Sequence, residues 1–492
     1  MYASFVVLAL VAVACGPTTT TTTTTTNTTL PPTSATPTTT TTATTATTAA
    51  PVSTVGAAGI GDDYYPTLGN GGYDVEHYEL DLFYDPDENM LDAAVILTAV
   101  ATQDLTAFNL DFAGFDIVDL RVGDLPATFE RNAGELTITP KIPIAAGERF
   151  DVTVAYAGNP GPAASAAFPN LATGWQEGPD GEQYVIAEPD TAHTWFPSND
   201  HPLDKATFSF FVTVPDGYAV AVTGEFLGTE LGHRTGETLT YAWEMSTPMA
   251  PYLATIVIGE GYQLVDDPVS TEAAGIPIRN FLPPDLVANP PDALDDTGEM
   301  LTALEQAFGP YPFDRYGIAV VGGFPAALEN QTLSVFGRSM VEAPFFEFVL
   351  VHELAHQWFG NSVSVAQWSD IWLTEGFATY SELVWIEHRQ GRAAYDRVVA
   401  DRRRAATTAG YPPPGLPPPS NLFNGGVYQL GGLLLVDLRD EIGDDAFFTL
   451  LRTYAAEFAD GNATTEDFIA LAEDISGQDL DEFFQVRLYE PL

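Results

Sequence analysis

Cysteine is almost absent from this chain. Cys15 is the only one in 492 residues, so no disulfide can form within the chain and stability has to come from buried apolar cores. Lysine is nearly as scarce, with Lys141 and Lys205 standing alone. Eighteen basic residues face 67 acidic ones, for a formal net charge of −49. Such a composition offers no basic patch to hold phosphates, which argues against nucleic-acid binding. The acidic excess fits either adaptation to high salt, where screening relieves self-repulsion, or a biased but ordinary extracellular surface. Long apolar runs are missing as well. The apolar stretch at residues 4–14 is too short to span a bilayer and reads as a signal-peptide core.

That stretch ends in Ala-Val-Ala-Cys-Gly at residues 12–16, which looks like a bacterial lipobox with Cys15 as the lipidated residue. Residues 1–15 are therefore expected to be a signal peptide with lipobox. The product is expected to be exported and held at a bacterial cell surface by a lipid anchor, with plain secretion as the alternative. Residues 16–60 are dominated by threonine with proline and alanine, cannot build a core, and are expected to form an extended disordered tether.

From Tyr73 the pattern changes to short runs of alternating polarity, at residues 75–82, 93–100, 135–138, 150–156, 206–214 and 253–259. Separated by Gly, Asp and Pro, they predict an antiparallel β domain over 61–262. Residues 263–492 read as mostly helical, so the fold class is α+β. Helices are expected at 292–308, 445–458 and 465–475, with a strand at 318–321. The proline-rich run at 411–420 is rigid and is expected to wall a cleft.

The most informative stretch is Val-His-Glu-Leu-Ala-His-Gln-Trp-Phe-Gly at residues 351–360. Neither glycine nor proline interrupts residues 345–359, so the spacing predicts a buried helix. Residues four apart share a helix face, so His352 and His356 can aim two imidazoles at one ion. Glu353, one step round, can reach a water beside it. A catalytic zinc takes three protein ligands and keeps one position open. Glu375 lies in Trp-Leu-Thr-Glu-Gly-Phe-Ala, 19 residues after His356 on a second predicted helix, with Ser369 as its expected N-cap and Asp370 in its first turn. It supplies the third ligand, for one Zn2+ per chain. A buried apolar helix would not carry His-Glu-His without a polar task.

These two motifs together resemble those of the gluzincin aminopeptidases, the family of aminopeptidase N and the leukotriene hydrolase, in a short form lacking the helical C-terminal domain of many members. Three further stretches carry the resemblance. Ala326-Ala327-Leu328-Glu329-Asn330 is similar to the family's Gly-Ala-Met-Glu-Asn exopeptidase motif. The segment from Glu188 to Pro197 is similar to its Gln-Phe-Glu-Pro…Phe-Pro stretch. Tyr428-Gln429-Leu430-Gly431 is similar to its Tyr-x-Lys-Gly segment. The departures are Ala326, Leu328, Leu430 and Thr374, where the family usually has Gly, Met, Lys and Asn.

The resemblance implies a β-saddle domain before a thermolysin-like zinc-peptidase domain. It also implies peptide substrates with a free N-terminus. Glu353 would act as general base and Tyr428 as donor to the oxyanion. Glu188 and Glu329 would bind the substrate's α-amine, and Ala327 and Asn330 would pair with the substrate as an added strand. Thr379, four residues after Glu375, is a candidate to support the ligands. His77, His193, His201, His233 and His388 lack ligand spacing and read as structural or surface residues. Arg402-Arg403-Arg404 reads as a solvated helix face, with contact to acidic substrate termini as the alternative. A monomer is expected. Two other functions remain open at this point: a zinc endopeptidase with weaker amine anchoring, and an inactive surface lipoprotein that binds peptides.

Overall fold

A computed structural model describes residues 55–232 and 237–491. Cys15, His233, the signal peptide and most of the expected tether lie outside the described residues.

The strands appear where alternation predicts them. Tyr73–Asp85 buries every other residue on one face, as does Met90–Ala101, the period-2 pattern of a half-covered sheet. They lie at the centre of an eight-stranded sheet. Its order is Glu225–Leu231, Thr238–Met249, Ala206–Pro215, Tyr73–Asp85, Met90–Ala101, Arg149–Gly158, Asp116–Val122 and Leu125–Pro126. One pairing departs from the antiparallel expectation: Tyr73–Asp85 runs parallel to Ala206–Pro215, with His77 opposite Thr207. Alternation fixes which residues face the core but not which strand lies alongside. Smaller sheets pack against this one. One of them contains Gln183–Ile186 and thereby delivers Glu188 just beyond a strand end.

Residues 55–60, expected in the tether, are folded onto this domain. Val55 bridges to Ala107, and the Gly56 amide donates to the Ala107 carbonyl at 2.9 Å. The segment goes on to bury Asp62, which ties three parts of the molecule together. Its carboxylate accepts from the backbone amides of Tyr65 at 3.0 Å and Trp368 at 2.7 Å, and pairs with His201 Nε2 at 3.2 Å. Burial opposes its charge, but these donors outweigh burial and hold its pKa below the usual carboxylate value.

The second domain begins with a five-stranded mixed sheet, in the order Gln263–Asp266, Arg279–Leu282, Ile318–Val321, Ser334–Gly337 and Ala327–Leu328. The last is an edge strand. Helices follow at Thr297–Phe308, Phe346–Ala355, Trp372–Gln390, Arg392–Ala409, Gly431–Ile442, Asp444–Glu457 and Thr465–Ser476. The helix predicted over 292–308 starts as a 3₁₀ turn, Asp292–Asp296. The helix Trp372–Gln390 is buried at every position from Trp372 to Ile386. Ser369 does not cap it: a 3₁₀ turn, Trp368–Asp370, leads directly into the helix through Ile371.

Two outcomes test this architecture. Asp62→Ala leaves His201 Nε2 and the Trp368 amide without a partner, and should cost about 3–5 kcal/mol, read as a lower thermal midpoint by circular dichroism. Asp111 is also buried, and burial, reinforced by the nearby Asp200, pushes its pKa up to about 8. A carboxylic acid with a raised folded pKa binds its proton more tightly when native. Stability should therefore fall as pH rises from about 4 to 8, by up to about 1.4 kcal/mol per pH unit. Denaturant unfolding at pH 5 and pH 8 should show a smaller fall in Asp111→Asn.

Candidate metal centre and amine site

The helix Phe346–Ala355 carries His352 and Glu353 in its last turn, and His356 sits at its C-cap with helical backbone angles. The four-residue spacing therefore holds although the regular helix stops at Ala355. His352 and His356 lie edge to face, with ring centroids 4.9 Å apart. Glu375 enters from the first turn of the long buried helix. Its Oε2 lies 3.2 Å from His352 Nε2 and 3.4 Å from His356 Nε2.

Each imidazole has its other nitrogen committed. His352 Nδ1 meets Glu382 Oε1 at 3.1 Å, and His356 Nδ1 meets the Phe359 carbonyl at 3.1 Å. Both rings therefore donate from Nδ1 and turn Nε2 toward Glu375, where a metal ion could take it. A tetrahedral zinc with bonds of about 2.0–2.1 Å sets its ligands about 3.3–3.4 Å apart, close to the 3.2 and 3.4 Å between Glu375 and the two rings. The electrostatics agree. Burial disfavours charge on His352, but hydrogen bonds to Glu375 and Glu382 hold its pKa up at about 10. Burial would likewise raise Glu375, but His356 and His352 hold it at about 2. The cluster is built to surround positive charge, and these three residues fit zinc.

Glu382 was not singled out from the sequence. It falls seven residues after Glu375, on the stripe Glu375, Thr379, Glu382 that a helix presents to one side. Its other oxygen pairs with the guanidinium of Arg402, which also donates to the Thr379 carbonyl at 3.2 Å. Arg402 is thus turned inward rather than solvated, because a buried carboxylate on the neighbouring helix needs a counter-charge. Arg403 pairs with Asp437, and Arg404 faces solvent beside Asp401. Thr379 lines the cleft, but its hydroxyl has no hydrogen-bond partner. Support for the ligands comes from Glu382 instead. Thr374 spends its hydroxyl on the Ile371 carbonyl at 2.9 Å.

Glu353 lines the same cleft, and burial pushes its pKa up to about 7 against the pull of His352 and His356. Tyr428 sits in a π-helical turn, Gly426–Leu430, with its ring nearly parallel to His352 at 6.0 Å. Burial, reinforced by Glu375, raises its pKa well above the tyrosine value, so the hydroxyl stays protonated and able to donate.

The first domain contributes Glu188, which meets Glu329 at this cleft. Burial first, and then the carboxylate of Glu329, drives Glu188 well above its usual pKa. Glu329 is raised by burial too, with His356 opposing. Two buried acids side by side form a niche that an ammonium group would relieve. Beside them the edge strand Ala327–Leu328 pairs with Ser334–Gly337 on one side only, leaving backbone groups for an extended ligand.

Two expectations are corrected. Asn330 does not line the cleft. Its amide donates to the Leu253 carbonyl at 3.0 Å and ties the two domains together. The proline-rich run at 411–420 is not a cleft wall either. It is pinned elsewhere, with the Pro417 carbonyl accepting from the Tyr64 hydroxyl at 2.7 Å and the Gly415 amide donating to the Leu488 carbonyl at 2.9 Å. The wall is built in part by Phe168 of the first domain, which stacks on Phe423 at 4.7 Å between centroids. Of the other histidines, His193 pairs with Asp200 at 2.7 Å and His201 with Asp62, in keeping with structural roles.

Known proteins match along both domains. Residues 74–253 match the Peptidase M1 N-terminal domain, and residues 292–486 match the Peptidase family M1 domain. A crystal structure of an M1 zinc metallopeptidase from Deinococcus radiodurans is similar with a TM-score of 0.79 and 30% identity. The match covers 88% of this chain and 97% of that one. A mutant of that protein bound to a Tyr-Ser-Ala substrate gives a TM-score of 0.80 at 29% identity, covering 88% and 98%. Aminopeptidase N of Streptomyces lividans is 29% identical over 325 residues, 60% of this chain and 36% of that protein. This chain spans about a third to a half of the length of the curated relatives it matches.

Glu382→Gln should weaken zinc binding about 10- to 100-fold, measured by competition with a chelator of known affinity. Thr379→Val should leave that affinity unchanged.

Proposed function

The chain belongs to peptidase family M1, and from that membership and the geometry we propose that it is a zinc aminopeptidase, with one Zn2+ per chain, which removes N-terminal residues from peptides. The observation that carries the reading is the Glu188–Glu329 pair. Buried acids adjacent to the ligand cluster demand a cation, and the only cationic group common to all unblocked peptides is the N-terminal amine. An endopeptidase would have no use for such a niche, because mid-chain peptide groups are neutral.

Zinc held by His352, His356 and Glu375 would supply a Lewis acid and a water acidified toward a pKa of about 7. The chain's own groups do the rest. Glu188 and Glu329 hold the amine and so fix how far the substrate enters. The free edge of Ala327–Leu328 aligns the substrate backbone. Glu353, with a pKa near neutrality, can accept a proton from the attacking water and return it to the departing amine. Tyr428 donates its hydroxyl to the oxyanion as charge develops there, an interaction of the kind worth about 3–4 kcal/mol.

The proposal extends to placement. The apolar stretch at residues 4–14, ending at Cys15, supports an exported protein carried on a lipid anchor at a bacterial surface, and the threonine-rich run supports a spacer between membrane and enzyme. The proposal includes a monomer acting on peptides outside the cell.

Hydrolysis of leucyl-, alanyl- and arginyl-fluorogenic amides, compared with an N-acetylated peptide, tests the activity. Free-amine substrates should be cleaved, chelator should abolish cleavage, and Glu353→Gln should lower kcat by at least about 100-fold. Equal cleavage of the blocked peptide would make the protein an endopeptidase. Bound zinc with no turnover would leave it a peptide-binding protein.

A further inference from the structure

Lys205 is one of only two lysines in the chain, and it lies where the two domains meet. It immediately precedes the strand Ala206–Pro215 of the first domain. Its Nζ donates to three backbone carbonyls of the second domain: Asn361 at 2.9 Å, Ser362 at 2.8 Å and Gly461 at 2.8 Å. Three acceptors for three N–H bonds is complete satisfaction for an ammonium group. Asn361 and Ser362 belong to the turn that follows the His352–His356 segment.

That turn grips the loop carrying Glu329. Asn361 Nδ2 donates to the Glu329 carbonyl at 2.8 Å, and Gln357 Nε2 donates to the same oxygen at 3.0 Å. Gln357 also accepts from the Thr332 amide at 2.8 Å through Oε1. The loop needs such a grip. Thr332 has a φ of 66°, which is unfavourable for a β-branched residue. Its hydroxyl is held from the first domain as well, accepting from the Gly224 amide at 2.9 Å.

We propose that Lys205 is a positioning residue for the amine site: by holding the carbonyls of Asn361 and Ser362 it sets the turn whose side chains fix the Glu329 backbone, and so places the Glu329 carboxylate against Glu188. The proposal rests on the aminopeptidase reading. It makes Lys205 a determinant of substrate binding without contact to substrate, zinc or either catalytic group. Because Glu188 comes from the same domain as Lys205, the ammonium registers both carboxylates in one frame.

The test separates KM from kcat. In Lys205→Met, KM for leucyl amide should rise about tenfold while kcat stays within about twofold, and the preference for the free amine over the N-acetylated peptide should narrow. Zinc content should remain one per chain. Asn361→Ala keeps the ammonium bonds, which go to backbone oxygen, but deletes the donor to Glu329. It should show the same KM-selective defect, and it decides the matter if Lys205→Met does not fold. Folded variants with unchanged KM would overturn the proposal. So would a loss confined to kcat or to the active fraction, since that reports a structural role alone. Wild-type enzyme run in parallel keeps the two readings apart. If it cleaves the blocked peptide equally well, the aminopeptidase reading fails whatever the variants do. If it is selective and the variants are too, only the role of Lys205 fails.

Discussion

Two imidazoles offer Nε2 to one point because each has already committed its Nδ1, His352 to the carboxylate of Glu382 and His356 to the carbonyl of Phe359. The rest of the site depends on that commitment. Without it either ring could rotate, and the two Nε2 atoms would no longer converge beside Glu375. Glu382 in turn is tolerable in a buried helix only because Arg402 neutralises it. The chain of dependence therefore runs from a neighbouring helix, through a carboxylate, to the ring that would hold the metal. The M1 zinc metallopeptidase from Deinococcus radiodurans is similar in fold at 30% identity.

The contacts between domains follow the same economy. In a chain with so few cations, Lys205 at the interface is given three carbonyl acceptors, and the acids described there either receive several donors or are placed in a pair. Asp62 belongs to the first kind of acid, with amides and His201 around it. Glu188 and Glu329 belong to the second, and only an incoming ligand can complete them. That difference separates an acid that holds the structure from a pair left open to a ligand, and it is read from donors rather than from burial, which is the same for both.

Much of this was legible in the sequence. Alternation located the strands of the first domain to within a few residues, because one face of each is covered and the other is not. His352 and His356 were legible as a pair because helical spacing converts directly into a shared face, and Glu375 was legible from its own motif on a second predicted helix. What escaped depends on partners remote in the chain. The parallel pairing of Tyr73–Asp85 with Ala206–Pro215 joins strands more than a hundred residues apart, and no local pattern announces it. Arg402 looked solvated because its run of three arginines lies on a polar helix, whereas its partner lies 20 residues earlier on a different one. Asn330 sits in a motif whose neighbour faces the cleft, but its own amide turns away to Leu253. Glu382 was within reach, since the i, i+4, i+7 stripe from Glu375 was there to be followed.

The supply of Glu188 by the first domain has a consequence for how the molecule comes into being. Synthesis runs from the N-terminus, so the domain bearing Glu188 leaves the ribosome before Glu329 and the helices bearing His352, His356 and Glu375 have been made. The acid pair exists only once the second domain has brought Glu329 against the first. A chain interrupted between the two domains would carry one acid of the pair and none of the three residues of the His-His-Glu cluster.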